Sequence, residues 1–243
     1  MSVKIGSARI DENGKAHGGK AGDQTGKEVS TQNWYKHTKG WVVLRPKSNV
    51  IADLIASDME YACKNPNIGY DQYERNTLYN VAEKVGFNCS LVDKKCETDC
   101  SALVRVCCAY AGIRVSSFRT TNEVKILMAT GYFEELTESK YTDSSNYLKR
   151  GDILVTKTQG HTVVVLNDGS KAESDVKTDK KYVIVTGDTV WIRTGPSTSF
   201  KQIGLAKKGD KYKYAGVTSN DGWNEIYFNN DLAWISGKFS KLE

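Results

Sequence analysis

Thr98-Asp99-Cys100-Ser101-Ala102-Leu103-Val104-Arg105-Val106-Cys107-Cys108-Ala109-Tyr110 sets a polar turn directly before an apolar helix, with one cysteine at the junction. Leu103, Val106, Cys107 and Tyr110 recur at helical spacing, so that face is expected in a core. Asp99 or Cys100 falls at the N-cap. The first N–H groups of a helix have no intrahelical partner, and the positive end of the helix dipole lies with them. A sulfur placed there is biased towards thiolate, the nucleophilic form of cysteine. Cys107 and Cys108, on the body of the helix, read as small buried apolar residues.

A cysteine nucleophile needs a base, and the chain offers His17, His37 and His161. His17 lies in a Gly/Lys-rich loop, and His37 stands between Lys36 and Thr38. His161 alone opens a β-branched run, Thr162-Val163-Val164-Val165-Leu166, that can hold an imidazole in one orientation. Residues 149–156 read as the strand before it, and Asn167-Asp168-Gly169 as a hairpin turn after it.

The 243 residues suffice for one large or two modest domains. With 39% hydrophobic and 26% charged residues the composition is that of a globular protein. A net charge of +5 suits an acidic polymer as partner. There is no Lys/Arg block interleaved with aromatics, so nucleic acid is not the expected one. No apolar run approaches membrane-spanning length, so no membrane insertion is expected. Polar, Gly-rich sequence rather than an apolar stretch follows Met1-Ser2-Val3-Lys4-Ile5-Gly6; we expect no signal peptide and synthesis in a cytoplasm. Cys89, Cys96 and Cys100 have a spacing that fits no strong zinc pattern, and neither metal nor cofactor is expected.

Residues 1–47 carry loop signals, and a short strand over 41–45 ends at Pro46. Ser48 caps a helix over 49–64, whose stripe of Val50, Ile51, Leu54, Ile55, Met59 and Ala62 is packing. Asp71 caps a second helix over 72–86, ended by Gly86. A further helix spans 122–130, and residues 132–136 form a strand.

Asp99-Cys100-Ser101-Ala102-Leu103-Val104 resembles the Asp-Cys-Ser-Gly-Leu-Val signature of the NlpC-like cell-wall peptidases, a branch of the papain superfamily, with Ala102 in place of Gly. Gly151-Asp152-Ile153-Leu154 followed by Gly160-His161 resembles the pattern around that family's histidine. The stretch from Gly22 to Val29 is similar to one in phage-derived peptidases of this type, with Asp23 and Gln24 as cleft-lining candidates. The resemblance implies a papain-like α+β catalytic domain over 1–170, helices packed on a small antiparallel sheet. Cys100 would be its nucleophile and His161 its base. Tyr70, Asp99 and Ser101 would contact substrate. The family's third, orienting residue maps to Glu173. A two-residue turn at Asp168-Gly169 sets Glu173 opposite Val164, however, on the face away from His161, so Asp175 and Asn167 stay open as alternatives.

Residues 171–181 are polar and read as a linker. Short β-rich runs then alternate with turns over 182–243, as in a small all-β barrel. Val190-Trp191-Ile192-Arg193-Thr194-Gly195-Pro196-Ser197, Gly222-Trp223 and Ala233-Trp234-Ile235-Ser236 resemble, in order, three motifs of bacterial SH3-like domains. These commonly bind peptidoglycan or wall polymers. Together the resemblances imply a phage or prophage endolysin that acts on the cell wall and leaves the cytoplasm through a holin pore. Peptidoglycan is the expected partner, with teichoic acids second. The expected reaction is cleavage of a stem-peptide amide, the γ-D-glutamyl–diamino-acid bond first. N-acetylmuramoyl-L-alanine amidase activity, or a non-catalytic wall-binding role, are the alternatives.

Overall fold

A computed structural model describes residues 2–158, 160–172, 182–219, 221–229 and 231–243. The chain forms two compact units. The N-terminal unit is α+β. Its elements are β1 (Lys4–Ala8), β2 (Val29–Asn33), β3 (Trp41–Pro46), α1 (Asn49–Ala62), β4 (Ile68–Tyr70), α2 (Thr77–Ala82), β5 (Cys96–Thr98), α3 (Cys100–Tyr110), α4 (Glu123–Ala129), β6 (Phe133–Leu136), α5 (Ser139–Thr142), β7 (Ile153–Thr156) and β8 (Thr162–Val165). Six strands make one sheet in the order β2-β1-β8-β7-β3-β6, every pair antiparallel.

The N-terminal segment is a central part of this sheet. Val3 and Ile5 pack with Trp41, Val43, Leu154, Val163 and Val165 in one core cluster. On the other face of β1, a Cβ added at Gly6 would lie 2.6 Å from Met59 Cγ, so α1 passes close above the strand there. Among the described residues, the expected hairpin after β8 is not formed. The strand beside β8 is β1, with Ile5 opposite Val165 and Gly6 opposite Val164. The chain beyond β8 instead closes on the loop before β7, where Gly169 N–H meets Leu148 O at 2.8 Å and Lys171 N–H meets Asn146 O at 2.8 Å.

The second expected helix is also shorter than its sequence suggests. Asp71 spends its carboxylate on a loop, accepting from the N–H groups of Gly18, Tyr73 and Glu74, and α2 starts only at Thr77. Residues 68–70 form β4, which pairs parallel with β5 and sets Tyr70 opposite Thr98. That small two-stranded sheet delivers Tyr70 beside the start of α3.

The C-terminal unit is all-β. Strands β9 (Tyr182–Val185), β10 (Thr189–Arg193), β11 (Gln202–Lys207), β12 (Lys211–Thr218), β13 (Trp223–Phe228), β14 (Asp231–Ser236) and β15 (Ser240–Leu242) form an antiparallel sheet ordered β11-β10-β14-β13-β12-β9-β15. Alternate residues Val183, Val185, Val190, Ile192, Ala233 and Ile235 fill its core, the pattern of strands with one buried face.

Candidate functional site

Asp99 is the N-cap of α3. Its backbone is extended, and its Oδ1 accepts the Ala102 N–H at 2.7 Å. Arg75 grips the same carboxylate through Nε and Nη2, and Nη2 also donates to Ser101 Oγ and to Phe118 O, each at 2.7 Å. All three side chains are buried. Asp99 and Ser101, expected to contact substrate, thus have internal partners, and the fork of Arg75 fixes the first turn of the helix in place.

Cys100 begins α3 and is 8% exposed. The backbone N–H groups of Ser101 and Thr162 lie against its sulfur and favour its charged form. Thr162 directly follows His161, so the helix-borne cysteine lies against the start of the strand that carries the histidine. This contact follows from the sheet. In the antiparallel ladder the even residues of β8 aim their N–H groups towards β1, and the β1–β8 pairing ends at Gly6 and Val164, which leaves the Thr162 N–H uncovered by β1. Burial pushes the Cys100 thiol up to about 12, and the nearby charges of Asp99 and Glu123 act in the same direction.

His161 is locked by its backbone. Its N–H donates to Thr156 Oγ1 at 3.1 Å, and its carbonyl accepts the Thr156 N–H at 3.0 Å. The imidazole lines a cleft of about 620 Å³ with Arg9, Ile10, Lys27, Gln32 and Tyr35. Burial pulls its pKa down to about 4, helped by the positive fields of His37 and Arg9. His37 is half-buried rather than solvated, 5.2 Å from the Trp41 ring and 5.9 Å from that of Tyr35. His17 stacks on Tyr73 at 4.2 Å and takes no part in the cleft.

Tyr70 is buried. Its N–H donates to Glu28 Oε2 at 3.1 Å, its hydroxyl accepts from Gln72, and it lies within the electrostatic reach of Cys100. Glu28 also accepts the Gln24 N–H, which bolts the Gly22-to-Val29 loop onto β4. Asp23 and Gln24 close that loop themselves: Asp23 accepts from Thr25 and Gly26, and Gln24 donates to Ala21 and Gly22. Asn167 spends its amide oxygen on the Lys4 N–H at 2.7 Å and so ties down β1. Glu173 and Asp175 lie outside the described residues.

Two charged residues of this region carry no mark in the sequence. One is Arg75. The other is Glu123, fully buried at the first turn of α4. Its Oε1 accepts the Thr162 hydroxyl at 2.8 Å, and its Oε2 has no hydrogen-bond partner among the described residues. Burial raises it to about 8. An acid in a first helical turn ordinarily signals only a favourable dipole, so its burial is legible only once α4 is seen above β8.

In the C-terminal unit a groove of about 620 Å³ runs past Trp191, Trp223, Lys238 and Phe239. Trp191 is 45% and Phe239 52% exposed. Arg193 lines it too, but its guanidinium donates to Thr198 O and Phe200 O.

No curated protein matches the chain. Residues 188–241 match the bacterial SH3 domain. Residues 5–172 match the endolysin-like domain. The second match takes in β1 to β8, with Cys100, His161 and the cleft beside them. The chain therefore belongs to the endolysin-like domain family and carries a bacterial SH3 domain behind it.

Proposed function

We propose that this peptidoglycan hydrolase cuts an amide of the stem peptide with Cys100 as nucleophile and His161 as general base. An endolysin-like domain joined to a wall-binding bacterial SH3 domain makes the chain a peptidoglycan hydrolase that acts at the cell wall. The choice of chemistry rests on one observation: α3, which begins at Cys100, packs on β8, the strand that directly follows His161. It is supported by the NlpC-like motif around Cys100. We place the catalytic domain in 1–170 and the wall-binding domain in 182–243, joined through 171–181.

Both groups rest neutral, so the reaction is general-base catalysis and not attack by a preformed ion pair. His161 takes the thiol proton as the sulfur attacks the amide carbonyl. The Cys100 N–H at the start of α3 receives the developing oxyanion. The imidazolium then protonates the leaving amine, and a thioester remains. Water, deprotonated by His161, releases the acid and restores the thiol. Tyr70 walls the site. Asp99 and Ser101, held by Arg75, act through the position of Cys100. Glu173 is our candidate to orient His161. The bond cut is γ-D-glutamyl–diamino acid.

Turbidity of purified Gram-positive walls tests the reading. The wild type clears them; Cys100→Ser and His161→Ala do not. Glu173→Gln loses much less than His161→Ala. Mass spectrometry of the fragments identifies the bond, and a free muramoyl lactate with a released L-alanyl peptide would replace our assignment by an amidase. Wild-type binding without any fragment release would leave a wall-binding protein.

A further inference from the structure

The cleft beside His161 has a charge that the reaction itself does not require. Arg9 follows the end of β1 and His161 precedes β8, and Arg9 lies within the electrostatic reach of the His161 imidazole. Arg9 and Lys27 both line the cleft with His161, and both are exposed. The one polar contact of the Arg9 guanidinium among the described residues is Ser30 Oγ at 3.5 Å. Among the described residues no carboxylate pairs with Arg9 or Lys27. The buried or half-buried arginines Arg45, Arg75 and Arg150 of this unit are matched, by Asp152, by Asp99, and by Asp53 with Glu60. Two cations without a carboxylate partner in the cleft that holds the base are suited to an anion brought by the substrate.

We propose that Arg9 and Lys27 form a carboxylate subsite, and that it holds the free α-carboxylate of the D-glutamyl residue whose γ-carbonyl is attacked. This rests on the amide-hydrolase reading above. In a γ-glutamyl amide four carbon–carbon bonds separate the reacting carbonyl from that carboxylate, about 5 Å by standard bond lengths. A carbonyl presented to Cys100 beside His161 leaves the α-carboxylate in the cleft that Arg9 and Lys27 line. Where the wall carries an α-amide instead, the subsite meets an uncharged group. The protein is then selective for unamidated stem peptides.

Two synthetic peptides test this: L-alanyl-γ-D-glutamyl-L-lysine amide and its α-amidated counterpart, which differ only in the carboxylate. The wild type is expected to favour the carboxylate peptide about tenfold in kcat/KM, the value of one charge-assisted hydrogen bond partly exposed to water. The preference appears in KM and shrinks with added salt. Arg9→Gln with Lys27→Gln removes it, bringing KM for the carboxylate peptide to that for the α-amide peptide. Equal cleavage of both peptides by the wild type, or a preference that survives in the double variant, overturns the proposal. Calorimetric binding of both peptides to Cys100→Ser separates the two readings. Carboxylate-dependent binding without wild-type turnover would sink the hydrolase and keep the subsite. Turnover without preference would sink the subsite alone. Neither binding nor turnover would sink both.

Discussion

At neutral pH the sulfur of Cys100 keeps its proton and the imidazole of His161 has none, because burial penalises the charged form of each. A histidine depressed to about 4 stays a competent base well below its ordinary range. The acid limb of kcat/KM should therefore fall nearer pH 4 than 6.5, and iodoacetamide should alkylate Cys100 faster with rising pH, with no plateau at neutrality. A plateau at pH 7 would mean a standing thiolate. Glu123 has the opposite linkage. Its folded value of about 8 lies above the ordinary 4.5, so the stability it contributes is complete below pH 4.5 and is lost as pH rises towards 8. Glu97 and Asp58 are raised as well, so the readout is a difference between proteins. Urea midpoints at pH 5 and 8 should diverge less for Glu123→Gln than for the wild type; equal divergence would show that Glu123 does not titrate there. Cys100 and His161 could be singled out in the sequence because each opens an element of clear periodicity. Arg75 and Glu123 could not, because a lone charge in a polar stretch is ordinarily solvated and only packing buries it.

The elements that read clearly were those whose own residues decide them. Helices α1, α3 and α4 follow their apolar stripes, and Gly86 stops its helical segment in the left-handed region at φ 69°. β1 was hidden because its pairing is non-local: Gly6-Ser7 looks like loop, yet it needs small residues under α1. The hairpin after β8 failed for a related reason. An Asp-Gly pair permits a turn, but here packing against residues 145–148 directs the chain elsewhere. Two substitutions test the element contacts by denaturant unfolding. Arg75→Ala leaves Asp99 buried and unpaired and should cost about 3–5 kcal/mol. A loss under about 1 kcal/mol would mean water repairs the cap. Gly151 has φ +88°, and its Cβ would strike the backbone of Ala52 in α1. Gly151→Ala should cost about 2–5 kcal/mol, from strain and overpacking together.

Over the whole chain, the two-part organisation was visible in composition: a polar stretch separates mixed periodicities from short alternating strands. Glu173, the third member expected for the candidate site, lies outside the described residues, and the turn from which the sequence places it is replaced by a bond from Gly169 N–H to Leu148 O. The division of labour predicts that Trp191→Ala and Phe239→Ala weaken co-sedimentation with walls about tenfold while hydrolysis of a soluble peptide is unchanged, as expected for exposed aromatics in a groove. Loss of soluble hydrolysis in those variants would contradict it. The central claim concerns a covalent bond to one sulfur. Intact-mass and peptide-mapping spectrometry of the wild type, acid-quenched during turnover of L-alanyl-γ-D-glutamyl-L-lysine amide, tests it most directly. We expect an L-alanyl-γ-D-glutamyl adduct on the peptide containing Cys100, absent in His161→Ala. Continued hydrolysis by Cys100→Ser, or an adduct on any other residue, would contradict it.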